Sequence, residues 1–351
     1  MKRAGPSAAD VAKLAGVSAS AVSRALRPGA SASAKVREKV AIAANTLGYH
    51  PNAMARAMIT RRSGAAAVVM AADTSIYYPE VLRELALAMN RRGIRTMLFM
   101  LDQPGDEAGA ISQILSYQVD GVVVLTPLLH AHLAALCDRR VPVVLYNRTA
   151  EGVPVSAVGC DHHRSGERLA AHLLQLGHRS FALFDGPPGS TVAVERMTGV
   201  RAALHEAGLE GGGVRSFPGD YSYASGRAAA ARLVAEHAGG CAWPTALIAA
   251  NDMMALAALD HIRSATSLKI PRDLSIVGFD GIGAAGWENY ELTTMRQPIR
   301  RLAAAAADLL AEHIGNPDLP VEQRLLSTQL IEGATVSAAR DERGAVERRH
   351  G

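Results

Sequence analysis

No stretch constrains this chain more than Asp10 to Leu26, DVAKLAGVSASAVSRAL. Apolar or small residues fall at Val11, Ala12, Leu14, Ala15, Val17, Val22, Ala25 and Leu26, the spacing of two short helices broken at Gly16-Val17, a helix-turn-helix. Ala12 is small where the helices cross, Gly16 can take the positive φ of the turn, and Val22 fills the gap between them. Ser18 stands where the second helix needs a side-chain acceptor for a free backbone N–H. That helix turns Ala19, Ser20, Ser23 and Arg24 outward, and small polar residues with one arginine suit the floor of a major groove. The same pattern also describes an alanine-rich helical hairpin inside a globular domain.

Charge separates the two readings. Residues 1–62 hold 11 Lys and Arg against Asp10 and Glu38, a net of +9, while the whole chain carries +4, which leaves −5 for the remainder. A basic head on a mildly acidic body is the asymmetry of a nucleic-acid-binding module attached to something else.

Asp10 to Arg24, the helix SAKVREKVAIAANTLGY from Ser33 to Tyr49, and HPNAMARAM from His50 to Met58 resemble the lactose-repressor and galactose-repressor family of bacterial transcription regulators. The likeness is gap-free over about fifty residues and continues in scattered motifs to about residue 335. It implies that the second helix reads the major groove of double-stranded operator DNA and that a third helix, opened by Ser33, completes the bundle of a head spanning 1–50. It also implies a hinge and linker over 51–62, whose short helix enters the minor groove through Asn52, Ala55, Arg56 and Met58. Met58 takes the place of the family's usual wedge leucine, keeping it apolar but more flexible. Two turns are too few to be stable alone in water, so this hinge is expected to fold only on DNA, paired with a second protomer's. One such head covers few base pairs, so a homodimer joined through its body is expected.

From Ala65 onward the pattern becomes alternating β and α. Strand-like runs fall at 65–72, 94–101, 121–125, 141–146, 180–184, 245–250, 274–279 and 323–331, with helical stretches such as Pro79 to Arg92, Arg164 to Leu176, Val194 to Ala207 and Ile299 to Ile314 between most of them. Continuous apolar strands separated by helices mean parallel sheets covered on both faces. There are too many strands for one sheet, so an α/β body over 63–340 reads as two lobes, about 63–161 and 162–293, with the chain end crossing back into both. The segment 341–351 has no apolar periodicity and reads as a tail.

Ligands bind where the strands of such sheets end. The polar and aromatic residues placed there are Tyr77, Tyr78, Asn147, Arg148, Asp161, Arg196, Tyr221, Asn251 and Asp280. Arginine with carboxylates, amides and aromatics can ring a small polar effector, a sugar or a nucleoside-like molecule, with hydrogen bonds and stacking. Arg196 is expected to start a helix after GPPGS and to face Asp280 across the gap between the lobes. ERMTG (195–199), GDYSYASG (219–226), AAND (249–252), VGFD (277–280) and LTTMRQP (292–298) resemble the family's effector-domain motifs, and the resemblance implies a two-lobed fold shared with periplasmic sugar-binding proteins.

Other chemistry has little to stand on. No phosphate-binding glycine loop, GxSxG or HExxH occurs, and His130, His132, His162 and His163 lack the spacing of a metal site, so neither enzyme, cofactor nor metal is expected. Cys137, Cys160 and Cys241 are odd in number and widely spaced, which fits a reducing cytoplasm. No apolar run reaches about 18 residues, and MKRAGPSAAD has no apolar stretch after its basic residues, so neither a membrane span nor a secretory signal is expected. The expectation is therefore an effector-controlled repressor. A solute-binding protein of transport, or an enzyme on the same scaffold, stays open at this level.

Overall fold

The computed structural model describes residues 5–26, 31–50, 62–72, 76–103, 105–148, 152–209 and 213–339, in two compact units that divide after Gly64. In the first unit, helix α1 (Ala8–Ala15) opens on Ser7, whose hydroxyl accepts from the Asp10 amide while the Asp10 carboxylate accepts from the Ser7 amide. This reciprocal cap satisfies two N–H groups at once. Gly16, at φ 65°, turns the chain into α2 (Ala19–Ala25), capped by Ser18. Helix α3 (Ala34–Leu47) is capped by Ser33 and ends at Gly48, φ 63°. Val11, Ala12, Ala15, Val22, Val40, Ala43 and Ala44 form the core between the three. The expected hinge contacts Asn52, Ala55, Arg56 and Met58 lie outside the described residues.

The second unit contains two sheets. Strands β1 (Ala65–Ala71), β2 (Arg95–Leu101), β3 (Gly121–Val124), β4 (Val143–Tyr146) and β5 (Ser156–Cys160) belong to the first; β6 (Phe181–Phe184), β7 (Val214–Phe217), β8 (Ala246–Ala249), β9 (Ser275–Asp280) and β10 (Thr293–Arg296) belong to the second. β11 (Gln323–Leu326) then returns to the first sheet and β12 (Gln329–Ile331) to the second. The strand orders are β11-β5-β4-β3-β1-β2, parallel throughout, and β12-β10-β9-β8-β6-β7, parallel except for β12 against β10. The central strands are buried on both faces, as all-apolar VVV and FALF runs require. The chain passes between the sheets three times, at Asp161, at Gln297-Pro298 and at Ser327-Thr328.

Several elements differ from expectation. The run 323–331 is not one strand: its Ser327-Thr328 step hands the chain from one sheet to the other, and the Thr328 hydroxyl is tied to that of Ser165 at 2.7 Å. The strands SAVGC, VRSF and TTMR lack apolar runs, because their polar side chains are satisfied in place. Ser156 Oγ meets His313 Nε2 at 2.9 Å, and Thr294 Oγ1 donates to Asp252 Oδ1 at 2.6 Å. Arg196 does not start its helix. That helix (Thr191–Glu206) begins five residues earlier at a Ser190 cap, which puts Arg196 in its second turn, facing inward.

Two glycines set the closest helix contact in the molecule. Gly166, in the helix His162–Gln175, and Gly199, in Thr191–Glu206, let the two backbones touch: a Cβ at Gly166 would lie 2.1 Å from the Arg196 carbonyl oxygen, and one at Gly199 would lie 2.0 Å from that of His163. This contact brings His162 against Arg196. No described helix is long and apolar enough to cross a membrane.

Candidate DNA-reading surface and effector cleft

On α2 the buried Val22 faces inward, and Ala19, Ser20, Ser23 and Arg24 are all exposed on the outer side. Ser18 accepts from the Ala21 amide at 3.2 Å, and its hydroxyl lies 3.0 Å from that of Ser20, so Ser20 is already partly engaged along the helix. Ser33 is an exposed cap that accepts from the Val36 amide at 3.3 Å. Lys13, Lys35 and Lys39 are exposed on the same unit.

In the body, the nine expected effector residues divide into two groups. Tyr78, Asn147 and Arg148 from the first lobe, with Tyr221 from the second, line a cavity of about 810 Å³ between the lobes, within the usual range for small-molecule sites. Thr126, Ser190, Asp220 and Met253 complete the lining; the sequence reading passed over these four, which carry no motif of their own. Asp161 caps the helix His162–Gln175, accepting from the Arg164 amide at 2.8 Å, and lines a smaller neighbouring cavity.

Tyr77, Arg196, Asn251 and Asp280 line neither cavity; they form a buried polar layer. Arg196 and Asp280 do not face each other across the gap, because both belong to the second lobe and pair directly, Nη2 to Oδ1 at 2.6 Å, with Arg196 only 2% exposed. Arg196 also donates to the Ala250 carbonyl at 2.8 Å and stacks over Phe279, 5.0 Å from the ring centre. Asn251 caps the helix Asp252–Ala265 and donates to the Tyr221 carbonyl at 2.9 Å. Asp252 accepts from the Gly281 and Ile282 amides and from Thr294; burial and the neighbouring Asp280 push its carboxyl well up from the ordinary range.

Gln297, which the sequence reading placed inside a motif but not in the site, joins the lobes. Its Nε2 donates to Asp280 Oδ1 at 2.8 Å on the second lobe, and its Oε1 accepts from Tyr77 Oη at 3.0 Å and from Asn147 Nδ2 on the first. It sits at one of the three crossings, so a change in lobe angle must act on this chain of bonds. Backbone strain collects at the same place. Asn147 (φ 54°), Tyr221 (φ 73°) and Asp280 (φ 111°) all have positive φ, a conformation side chains seldom take except where surrounding contacts hold them.

Fold and site together define a class: a helix-turn-helix head on a two-lobed, ligand-binding α/β body. The comparisons give the family. Residues 8–52 match the lacI family of bacterial regulatory proteins, and residues 170–336 match a periplasmic binding protein-like domain. The chain is 32% identical to the transcriptional regulator DegA of Bacillus subtilis (strain 168) over 300 residues, 84% of this chain and 87% of that protein. It is 31% identical to the regulator CelR of Thermobifida fusca, covering 94% and 98%, and a solved CelR–cellobiose complex superposes with a TM-score of 0.70, at 29% identity and covering 94% and 99%. The lac repressor dimer bound to operator and the anti-inducer ONPF superposes with a TM-score of 0.84, at 27% identity, covering 95% of this chain and 100% of that one. The chain belongs to the lacI family and is a DNA-binding transcription regulator. The match over the head sets aside the solute-transport reading.

Proposed function

We propose that the protein is a homodimeric repressor whose operator affinity is set by a small polar effector, a sugar in preference to a nucleoside-like molecule, bound between the lobes. The observation that carries this reading is the 810 Å³ cavity walled by both lobes and backed by the Gln297 network that spans them. A ligand that engages both walls favours one lobe angle, and only such a differential affinity can move a distant head. The cavity serves binding, not turnover. The two bodies form the dimer, and each head reads one half of a palindrome, with Ser18, Ala19, Ser20, Ser23, Arg24 and Ser33 at the DNA and Asn52, Ala55, Arg56 and Met58 in the hinge.

The test is operator binding by the full chain to its own upstream region, followed by fluorescence anisotropy as neutral sugars are added. A cognate effector should change DNA affinity by about 5–150-fold, and Tyr221→Ala should abolish the response without weakening DNA binding itself. A response that survives Tyr221→Ala places the effector elsewhere.

Arg24 is assigned to base readout. Arg24→Ala is expected to cost about 1–3 kcal/mol at the cognate operator and little on random DNA. Footprinting that shows equal losses on both would make Arg24 a phosphate contact.

A further inference from the structure

Next to the large cavity lies a second compartment of about 260 Å³, which shares Arg148 and Thr191 with it and continues to Gly159, Asp161, His162 and Glu195. Two donors in its wall have no acceptor. His162 is 3% exposed, and its Nδ1 lies 3.4 Å from Arg196 Nε. A guanidinium only donates, so Nδ1 accepts and Nε2 carries the hydrogen. Nε2 is buried with no partner. Burial, and then the Arg196 charge, hold the His162 pKa well below the usual imidazole range, so the ring stays neutral in this tautomer. Arg148 donates from Nη2 to the Leu125 carbonyl at 2.8 Å, while its Nε is buried and unpartnered. Buried donors without acceptors are uncommon in folded proteins, and two on one compartment indicate that an oxygen-bearing partner arrives there.

The acceptors of the compartment narrow its chemistry. Asp161 is exposed and caps its helix, and burial, then Asp161, push the Glu195 carboxyl up from its ordinary range. An anionic group would meet both carboxylates. An amine would leave His162 Nε2 and Arg148 Nε unsatisfied, as would an apolar group. A neutral, hydroxyl-rich ring does neither, since each hydroxyl can accept from His162 or Arg148 and donate to Asp161 or Glu195.

We propose that this compartment is a second sugar subsite, and that the effector is a neutral disaccharide or longer saccharide with one ring in the large cavity and the next accepting from His162 Nε2 and Arg148 Nε. This rests on the effector-cleft reading above and extends it.

The test is isothermal titration of the full chain with glucose, cellobiose and maltose. At least one disaccharide should bind about tenfold or more tightly than glucose. Gly159→Val should remove that excess by filling the compartment while operator binding stays unchanged. A Cβ at Gly159 would meet only Asn147, at an ordinary 3.5 Å, so the strand accommodates it. His162→Phe should remove the same excess by deleting the donor. Equal affinities for glucose and the disaccharides, binding by none of the three, or an excess that survives Gly159→Val would overturn the second subsite and leave the cleft reading to the operator assay. Disaccharide affinity that survives Tyr221→Ala would overturn the cleft reading itself.

Discussion

Arg196→Ala is expected to lower the stability of the body by about 3–5 kcal/mol, the cost of breaking a buried ion pair from one side. Arg196 is 2% exposed and Asp280 7%, so removing the guanidinium leaves a carboxylate in the protein interior with only the Gln297 amide, at 2.8 Å, still donating to that oxygen. The Ala250 carbonyl and His162 Nδ1 lose a donor at the same time, and the face of Phe279 loses its cation. The pair acts as a unit, so Arg196→Met combined with Asp280→Asn should be less damaging than Arg196→Ala alone, the non-additive result of a double-mutant cycle. Urea melts of the four proteins measure this; additive losses would show that the two groups contribute independently. Effector response should vanish in both variants, because Asp280 links through Gln297 to Asn147 and Tyr77 on the other lobe.

Gly199→Val should cost about 3 kcal/mol or more, at or beyond the upper end of ordinary overpacking. The atom that a new Cβ would meet, 2.0 Å away, is the His163 carbonyl oxygen, part of a helix backbone that cannot rotate aside as a side chain can. The helices must separate, and separation withdraws His162 from Arg196 Nε, now 3.4 Å away. Gly109 is a control, since nothing lies within 4 Å of its Cβ position and Gly109→Ala replaces glycine inside a helix. That change should be neutral or stabilising by up to about 1 kcal/mol. Thermal melts that showed Gly199→Val no worse than Gly109→Ala would refute the close helix contact.

Much of the fold and part of the site were legible in the sequence, for reasons that particular residues make clear. The head was readable because its signals are local: Gly16, Ser18 and Val22 act within a few residues of themselves. The central strands were readable because burial on both faces forces continuous apolar runs, as in VVV of 122–124. SAVGC and TTMR escaped because Ser156 and Thr294 find hydrogen-bond partners far along the chain, in His313 and Asp252, which no local pattern records. At the site, motif positions such as Arg196 and Asp280 were found, but their relation was misread. A guanidinium and a carboxylate seen in sequence can clasp a ligand or each other, and only the packing of Thr191–Glu206 beside β9 decides between the two. Gln297 was hidden inside LTTMRQP because its importance comes from lying at a crossing between lobes, a property of topology.

That topology also governs how the protein is made. The first sheet ends with β11, and Glu322 there bonds to the Ser156 hydroxyl across 166 residues of sequence. The helix Ile299–Gly315 packs on strands of that same sheet and is synthesised after the whole of the second lobe's parallel set. On the ribosome the first lobe therefore waits, lacking a covering helix and an edge strand, until nearly all of the chain has emerged, with the edge of β5 open to unintended pairing. A stop codon shortly before residue 299 should yield an insoluble product even though every strand of the first five is present, and the cell's chaperones will meet this protein chiefly through that one unfinished edge.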